Sequence, residues 1–226
     1  MRLLFFVSLF LLGSGPAHAQ SGELAMVGEF YAEFVSAKAG EVWLGLYQVG
    51  DEYELRSSTL VVSKRDALMG VGRNEVQTDQ PTEPLFLVRG LEELRPGKVE
   101  TIIPKGEFLY PGQRTSFRSG GIYYSLGAAG EATDRYLYSI VIEKYKLILS
   151  SSQLKRSQTL LEFDIALDNA VPGVLWAGDL DRDGKVDLFM EQNRHYAYID
   201  YGLFLSSAAK DEEMVGKVAT WSASID

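Results

Sequence analysis

The chain has 226 residues, of which 46% are hydrophobic, 12% aromatic and 23% charged, with two histidines and no cysteine. This composition is typical of a folded globular protein and excludes both an intrinsically disordered chain and a multi-pass membrane protein. The net charge is −9 and no basic run with interleaved aromatic residues occurs, so the surface repels phosphate backbones and no nucleic-acid partner is expected.

The first nineteen residues have the three parts of a secretory signal peptide. Arg2 supplies the positive start, a mostly apolar run follows from Leu3 to Leu12, and Ala17-His18-Ala19 is a cleavage site of small residues. A membrane anchor would need about 20 apolar residues, roughly twice this run. We therefore expect cleavage after Ala19 and a mature chain, 20–226, that is periplasmic or secreted by a bacterium. No later stretch is predicted to span a membrane.

In the rest of the chain, apolar residues recur mostly at alternate positions in short runs, separated by Gly, Pro, Asn and Asp. This pattern predicts a mainly β protein of antiparallel sheets, a sandwich or a partial propeller-like arrangement, with few or no helices. The segment Glu23 to Ala37 fits a helix stripe as well as a strand, and both assignments stay open. The runs Glu41 to Gln48 and Tyr53 to Val62 flank Gly50-Asp51-Glu52 and predict a hairpin.

The segment Gly70 to Pro84 is polar and contains two prolines, which indicates a long loop or a boundary near 70–84 between two sub-domains. Further on, Leu94-Arg95-Pro96-Gly97 is a turn signal between two short apolar runs. From Tyr136 to Leu149 the alternation is unusually long and predicts a strand covered on both faces, with Leu160 to Leu167 as its partner. No repeat of 20–50 residues is found, so a complete propeller is not supported.

One motif carries specific chemistry. Residues 178–188 read Gly-Asp-Leu-Asp-Arg-Asp-Gly-Lys-Val-Asp-Leu, which places four carboxylates around a glycine that permits a sharp turn. Ca²⁺ takes six to eight oxygen ligands and tolerates irregular geometry, so hard oxygens at alternate positions of a tight turn suit it. The predicted ligands are the side chains of Asp179, Asp181, Asp183 and Asp187 and the backbone carbonyl of Lys185. The alternative is a polar Asp-Gly turn whose carboxylates merely face water.

An EF-hand loop begins in the same way, but it needs a bidentate glutamate at position twelve between two helices. Here the twelfth residue is Met190, and the flanks Val174 to Ala177 and Val186 to Met190 have the apolar character of strands. From Asp179 to Asp187 the chain follows the pattern D-x-D-x-D-G-x-x-D and thereby resembles the FG-GAP or VCBS type of calcium loop, found in blades of integrin-like β-propellers, in a single copy. The resemblance implies that the loop joins two strands and that Asp187 replaces the missing glutamate.

Most enzyme classes lack their residues in this chain. A cysteine nucleophile is absent, a zinc site has too few soft ligands, and no Gly-x-Ser-x-Gly motif or phosphate-binding glycine loop occurs. Paired carboxylates for glycoside hydrolysis remain as an alternative, and the candidates near the calcium motif are Asp164, Asp168, Glu191 and Asp200. The aromatic side chains form either a core or a sugar-stacking platform, with the core favoured for most of them: Trp43, Trp176, Trp221, Tyr123 and Tyr124.

The sequence thus favours an exported, calcium-binding β protein that acts through binding or structure, with a protein or glycan partner of unidentified kind. The alternative is a periplasmic glycan-acting hydrolase with a carboxylate pair. His195 begins the predicted strand His195 to Ser206 and fits a half-buried sheet position as well as a functional one.

Overall fold

The computed structural model describes residues 21–68, 71–102, 108–136, 139–166, 170–195 and 197–224, and the predicted signal peptide lies outside them. Within these ranges the chain is mainly β, as the sequence predicts, with two single-turn 3₁₀ helices at Ala32–Phe34 and Ser206–Ala208. The strands in chain order are β1 (Glu23–Ala25), β2 (Gly28–Tyr31), β3 (Val42–Val49), β4 (Glu52–Leu68), β5 (Val71–Thr78), β6 (Leu87–Arg89), β7 (Gly97–Ile102), β8 (Arg114–Ser119), β9 (Ile122–Tyr136), β10 (Ser139–Ser151), β11 (Arg156–Ala166), β12 (Gly173–Asp179), β13 (Asp187–Glu191), β14 (Tyr198–Leu205) and β15 (Gly216–Ser224).

The larger sheet curls into a nearly closed barrel. Its strands follow one another in the order β1-β6-β3-β4-β7-β12-β13-β14-β15, and every pair is antiparallel. The Gly22 N–H donates to the Val218 carbonyl at 2.9 Å. This bond brings β1 beside β15 and narrows the gap between the two end strands of the barrel. The second half of β4 leaves the barrel and pairs with β5, which in turn pairs with β2.

The smaller sheet is a four-stranded antiparallel meander in the order β11-β10-β9-β8. One of its faces packs against β12, β13 and β14 of the barrel and forms a shared core with them. The strands β12 and β13 are therefore covered on both sides. In β13, Leu188 and Met190 pack towards the smaller sheet, whereas Phe189 packs with Trp176 into the barrel interior. This double burial explains why the runs flanking the predicted calcium motif are almost continuously apolar.

Several predicted elements are confirmed. The hairpin around Gly50-Asp51 is β3–β4, with Val49 opposite Glu52. The predicted strand pair at 136–149 and 160–167 is β10–β11, although Tyr136 belongs to β9 and faces Ser139 across the β9–β10 connection. The ambiguous segment from Glu23 is neither one helix nor one strand, because β1 and β2 are followed there by a single 3₁₀ turn.

The expectation of a long loop over 70–84 is wrong for its first part, because Val71–Thr78 form β5. This strand escapes detection because most of its residues are polar and only Val76 is buried, so it lacks the apolar alternation that marks a half-buried strand. The division of 20–226 into sub-domains stays a prediction. Among the described residues, no helix has both the length and the apolar character needed to cross a bilayer.

Candidate metal centre

The acidic motif forms the connection between β12 and β13. The last cross-strand pair before the loop is Gly178 opposite Asp187, so Asp179 ends one strand and Asp187 begins the next. Between them the chain turns through Gly184, whose φ of 82° lies in the left-handed region that favours glycine. The motif therefore occupies a strand-to-strand turn, which is the setting that the sequence predicts for it.

Three of the four predicted carboxylates converge. Asp179, Asp181 and Asp187 each offer an oxygen, and these three atoms lie within 4.8 Å of one another. Asp187 is completely buried, Asp179 is nearly so, and Asp181 is partly exposed. This group of carboxylates could hold a metal ion. Like charges at such a separation repel by roughly 3 kcal/mol per pair at an effective dielectric constant of 20, so the group is unfavourable unless something compensates it.

Backbone N–H groups compensate two of the carboxylates in part. Asp187 Oδ2 accepts from the N–H of Leu180 at 2.6 Å, and its Oδ1 accepts from the N–H of Ser206 at 2.7 Å. Asp179 accepts from the N–H groups of Asp183 and Gly184 at 3.0 and 2.9 Å. These bonds hold both carboxylates in place without an ion.

The pKa values of these carboxyl groups reflect burial. Burial raises the pKa of Asp187 well above its usual range, and the neighbouring charge of Asp181 raises it further. The pKa of Asp179 is also raised, first by burial and then by Asp181 and Asp183. Of these causes, the neighbouring negative charges also attract a cation, whereas burial disfavours a charge of either sign.

Asp181 has a buried oxygen without a partner. Its Oδ1 accepts from the N–H of Asp183 at 3.2 Å, whereas its Oδ2 is shielded from solvent and accepts no hydrogen bond. Buried polar atoms in folded proteins are normally paired, and a buried charged acceptor is the most costly to leave alone. Because Asp181 belongs to the converging group, this orphaned oxygen fits the predicted metal site.

Asp183 and Lys185 contact each other at the exposed side of the loop. The Asp183 carboxylate is not one of the three converging ones; it accepts from the Lys185 N–H at 2.9 Å and pairs with Lys185 Nζ at 3.2 Å. Its predicted role as a ligand, and that of the Lys185 carbonyl oxygen, stay predictions.

Two distant segments hold the loop from its flanks. Arg182 donates to the backbone carbonyls of Arg95 and Lys98, in the turn before β7 and at its start. On the other side, the β8–β9 turn packs so closely that a Cβ on Gly120 would lie 1.8 Å from the Gly184 carbonyl oxygen. The loop thus lies between the barrel and the smaller sheet. Sequence reasoning misses the close approach of Gly120 to the loop and the hydrogen bond from the Ser206 N–H to Asp187, because no local pattern relates these residues to the motif.

Most of the aromatic side chains proposed for sugar stacking are buried. Tyr124 and all three tryptophans are buried, as the core interpretation predicts: Trp43, Trp176 and Trp221. Tyr123, on β9, is exposed. Asp168 lies outside the described residues. Asp200 lines a cleft with His195, and it is the one carboxylate among the described residues of that lining, whereas glycoside hydrolysis uses two. The hydrolase alternative stays a prediction.

Comparison with known proteins adds no assignment, since no protein-family model, curated protein or solved structure matches this chain.

Proposed function

We propose that this protein is an exported β protein whose β12–β13 loop binds one Ca²⁺ ion, and that the ion stabilises the fold of a protein that acts through binding or structure. The observation that carries the proposal is the converging group of Asp179, Asp181 and Asp187, in which one Asp181 oxygen is buried without a partner. The likeness of the motif to FG-GAP and VCBS loops supports the same ion.

The donor set favours Ca²⁺ among the common cations. All the candidate ligands are oxygens, which hard cations prefer. The three carboxylates carry three negative charges when ionised, so the site attracts a divalent ion more strongly than a monovalent one. Mg²⁺ demands near-ideal octahedral geometry, whereas Ca²⁺ accepts irregular sites of six to eight oxygens. When bound, the ion would supply positive charge at the point where the three carboxylates repel one another.

Asp183 is available as a further ligand at small cost. Its pair with Lys185 is solvent-exposed on the lysine side, with 56% of that side chain accessible, and exposed ion pairs contribute about 0–1 kcal/mol. An ion that also binds the buried Asp179 and Asp187 would attract the Asp183 carboxylate more strongly than the exposed Lys185 side chain does.

Export is supported by the signal-peptide pattern of the first nineteen residues. Cleavage after Ala19 would leave Gln20 first, and the mass of the protein recovered after export tests this part. Calcium sites of extracellular modules bind with Kd of about 10⁻⁴–10⁻³ M, so a site of this kind would be filled at millimolar Ca²⁺ and act as a structural element.

Thermal melts in chelator and in Ca²⁺ test the site. At ten times Kd, binding stabilises the folded state by about 1.4 kcal/mol, which corresponds to a rise in Tm of roughly 3–6 °C for a chain of this size. Asp181→Asn should abolish this rise. In chelator, however, the same variant should melt at the temperature of the natural protein or above it, because it removes a negative charge that lies close to two other carboxylates and has one buried oxygen without a hydrogen bond.

Asp51→Asn, in the exposed β3–β4 turn, is the matched control and should keep the full calcium-dependent rise. Mg²⁺ at the same concentration should stabilise less than Ca²⁺. A natural protein that melts equally in Ca²⁺ and in chelator, or an Asp181→Asn variant that keeps the rise, would contradict the proposal.

A further inference from the structure

A cleft lies at the opposite end of β13 from the metal loop. It encloses about 610 Å³ and is lined by Ile165, Arg194, His195, Tyr198 and Asp200. Ile165 belongs to β11 of the smaller sheet, whereas the other four belong to the β13–β14 connection and to β14 of the barrel. A volume of this size suits a small molecule, and clefts between two packed units are a common location for ligand sites. Since β13 has five residues, it separates the cleft from the metal loop by about 17 Å.

The polar groups of the cleft are held in position by the surrounding structure. The guanidinium of Arg194 lies over the ring of Phe163 on β11, 5.6 Å from its centroid, and this contact links the two walls. Phe163 in turn stacks on the buried Tyr145. A guanidinium fixed on an aromatic face keeps its planar donors oriented, which is the arrangement that carboxylate recognition requires.

The connection that carries Arg194 and His195 is also fixed by its own hydrogen bonds. The Asp200 N–H donates to the Asn193 side chain at 2.7 Å, and the Gln192 N–H donates to the Asp200 carbonyl at 2.7 Å. The Ala197 N–H donates to His195 Nδ1 at 3.1 Å, so Nδ1 is the acceptor of the ring and Nε2 is its donor nitrogen. The site is therefore ordered before any ligand arrives.

The remaining lining provides an apolar surface and a negative end. Tyr198 is 53% exposed and Ile165 is 50% exposed, so a large part of each side chain is available for contact. A tyrosine ring can stack on the C–H face of a sugar ring. Asp200 repels a simple anion but accepts hydrogen bonds from hydroxyl groups. A ligand that satisfies both ends needs a carboxylate for Arg194 and hydroxyl groups for Asp200, joined by a ring with an apolar face.

We propose that this cleft binds an acidic saccharide of the uronate class, with its carboxylate on Arg194, its ring on Tyr198 and its hydroxyl groups on Asp200 and His195. The site differs from the metal loop in position and chemistry, and its function does not depend on calcium.

Calorimetric titration with digalacturonate tests this site. The matched probe is the dimethyl ester of the same disaccharide, which keeps the rings and hydroxyl groups but loses both charges. We expect digalacturonate to bind with a millimolar or lower Kd and the ester to bind about tenfold more weakly or worse. Arg194→Gln should weaken digalacturonate to the level of the ester, and Tyr198→Ala should weaken both probes.

Arg118→Gln is the control variant, because Arg118 also lies over an exposed tyrosine ring, that of Tyr123, but outside the cleft. It should leave both affinities unchanged. Equal affinity for acid and ester, an unaffected Arg194→Gln variant, or no heat of binding up to about 10 mM digalacturonate would overturn the proposal. Titrations in chelator and in Ca²⁺ should agree, so this test and the test of the metal loop can fail independently.

Discussion

Glu41 shows how one side chain fixes the start of a strand in this protein. It accepts hydrogen bonds from the Lys38 N–H and from Trp43 Nε1, and it pairs with Arg89 on β6 at 2.8 Å. Arg89 also pairs with Glu23 on β1 and lies over the Trp43 ring. The Lys38 N–H and Arg89 together lower the pKa of Glu41 to about 2. The charge of this carboxylate therefore persists far into the acid range.

This shift predicts a specific pH dependence. Because the folded-state pKa of Glu41 is lower than its ordinary value of 4.5, its charge stabilises the fold above pH 4.5, and this stabilisation is lost as the pH falls through 2. In urea unfolding in chelator, Glu41→Gln should have a lower free energy of unfolding than the natural protein at pH 7. This difference should shrink as the pH falls from 4.5 to 2. Glu93→Gln, at an exposed position, is the control. A difference in the free energy of unfolding between Glu41→Gln and the natural protein that stays constant with pH would contradict the lowered pKa of Glu41.

At the scale of elements, the β8–β9 turn and the metal loop support each other. Gly120 and Gly121 both have positive φ, 54° and 80°, so alanine is strained at either position. Only at Gly120 would the added Cβ also meet the Gly184 carbonyl oxygen, whereas at Gly121 the nearest atom is 3.8 Å away on Arg118.

The two glycines therefore provide a matched pair of variants. Gly121→Ala should cost about 1 kcal/mol from backbone strain alone. Gly120→Ala should cost at least about 2 kcal/mol more and weaken Ca²⁺ binding, since the loop must move away from the turn. Chemical unfolding and calcium titration of both variants measure this difference, and equal losses would show that the turn does not support the loop.

The same elements show what can be predicted from the sequence. The convergence of Asp179, Asp181 and Asp187 follows from a local pattern around Gly184, and short-range geometry suffices to anticipate it. The position of Asp183 does not follow, because Lys185 two residues later competes for its carboxylate. The supports at Gly120 and Ser206 come from distant segments and need the tertiary fold. β5 is missed because only one of its side chains, that of Val76, is buried, so the strand shows no apolar alternation.

At the scale of the whole molecule, the barrel and the smaller sheet share a buried core. Leu126 and Leu147 of the smaller sheet belong to the same apolar cluster as Leu188 and Phe204 of the barrel. Gln158 on β11 adds polar links, since its side chain bonds to the backbone of Met214 and Val215 just before β15. Separating the sheets would expose this cluster, so neither sheet is expected to persist alone.

This predicts a single cooperative unfolding transition. All three tryptophans lie in strands of the larger sheet: Trp43, Trp176 and Trp221. Their fluorescence therefore reports on that sheet, whereas far-UV circular dichroism reports on both sheets. Urea transitions followed by the two signals should coincide in midpoint and slope. A fluorescence transition that clearly precedes or follows the circular dichroism would indicate two sub-domains that unfold separately.

The bond between Gly22 and Val218 has a consequence for how the protein folds. It joins the first and last strands of the described chain, so the barrel cannot close until nearly the whole chain is available. Contacts of such high sequence separation form slowly. In the export proposed above, a chain that leaves a translocation channel with its amino terminus first would stay open during transit, because β15 is not yet available to β1. In that interval the edge of β1 can pair with another molecule. In refolding from denaturant the edges of both end strands are open before closure, so dilution should improve the yield of the native protein.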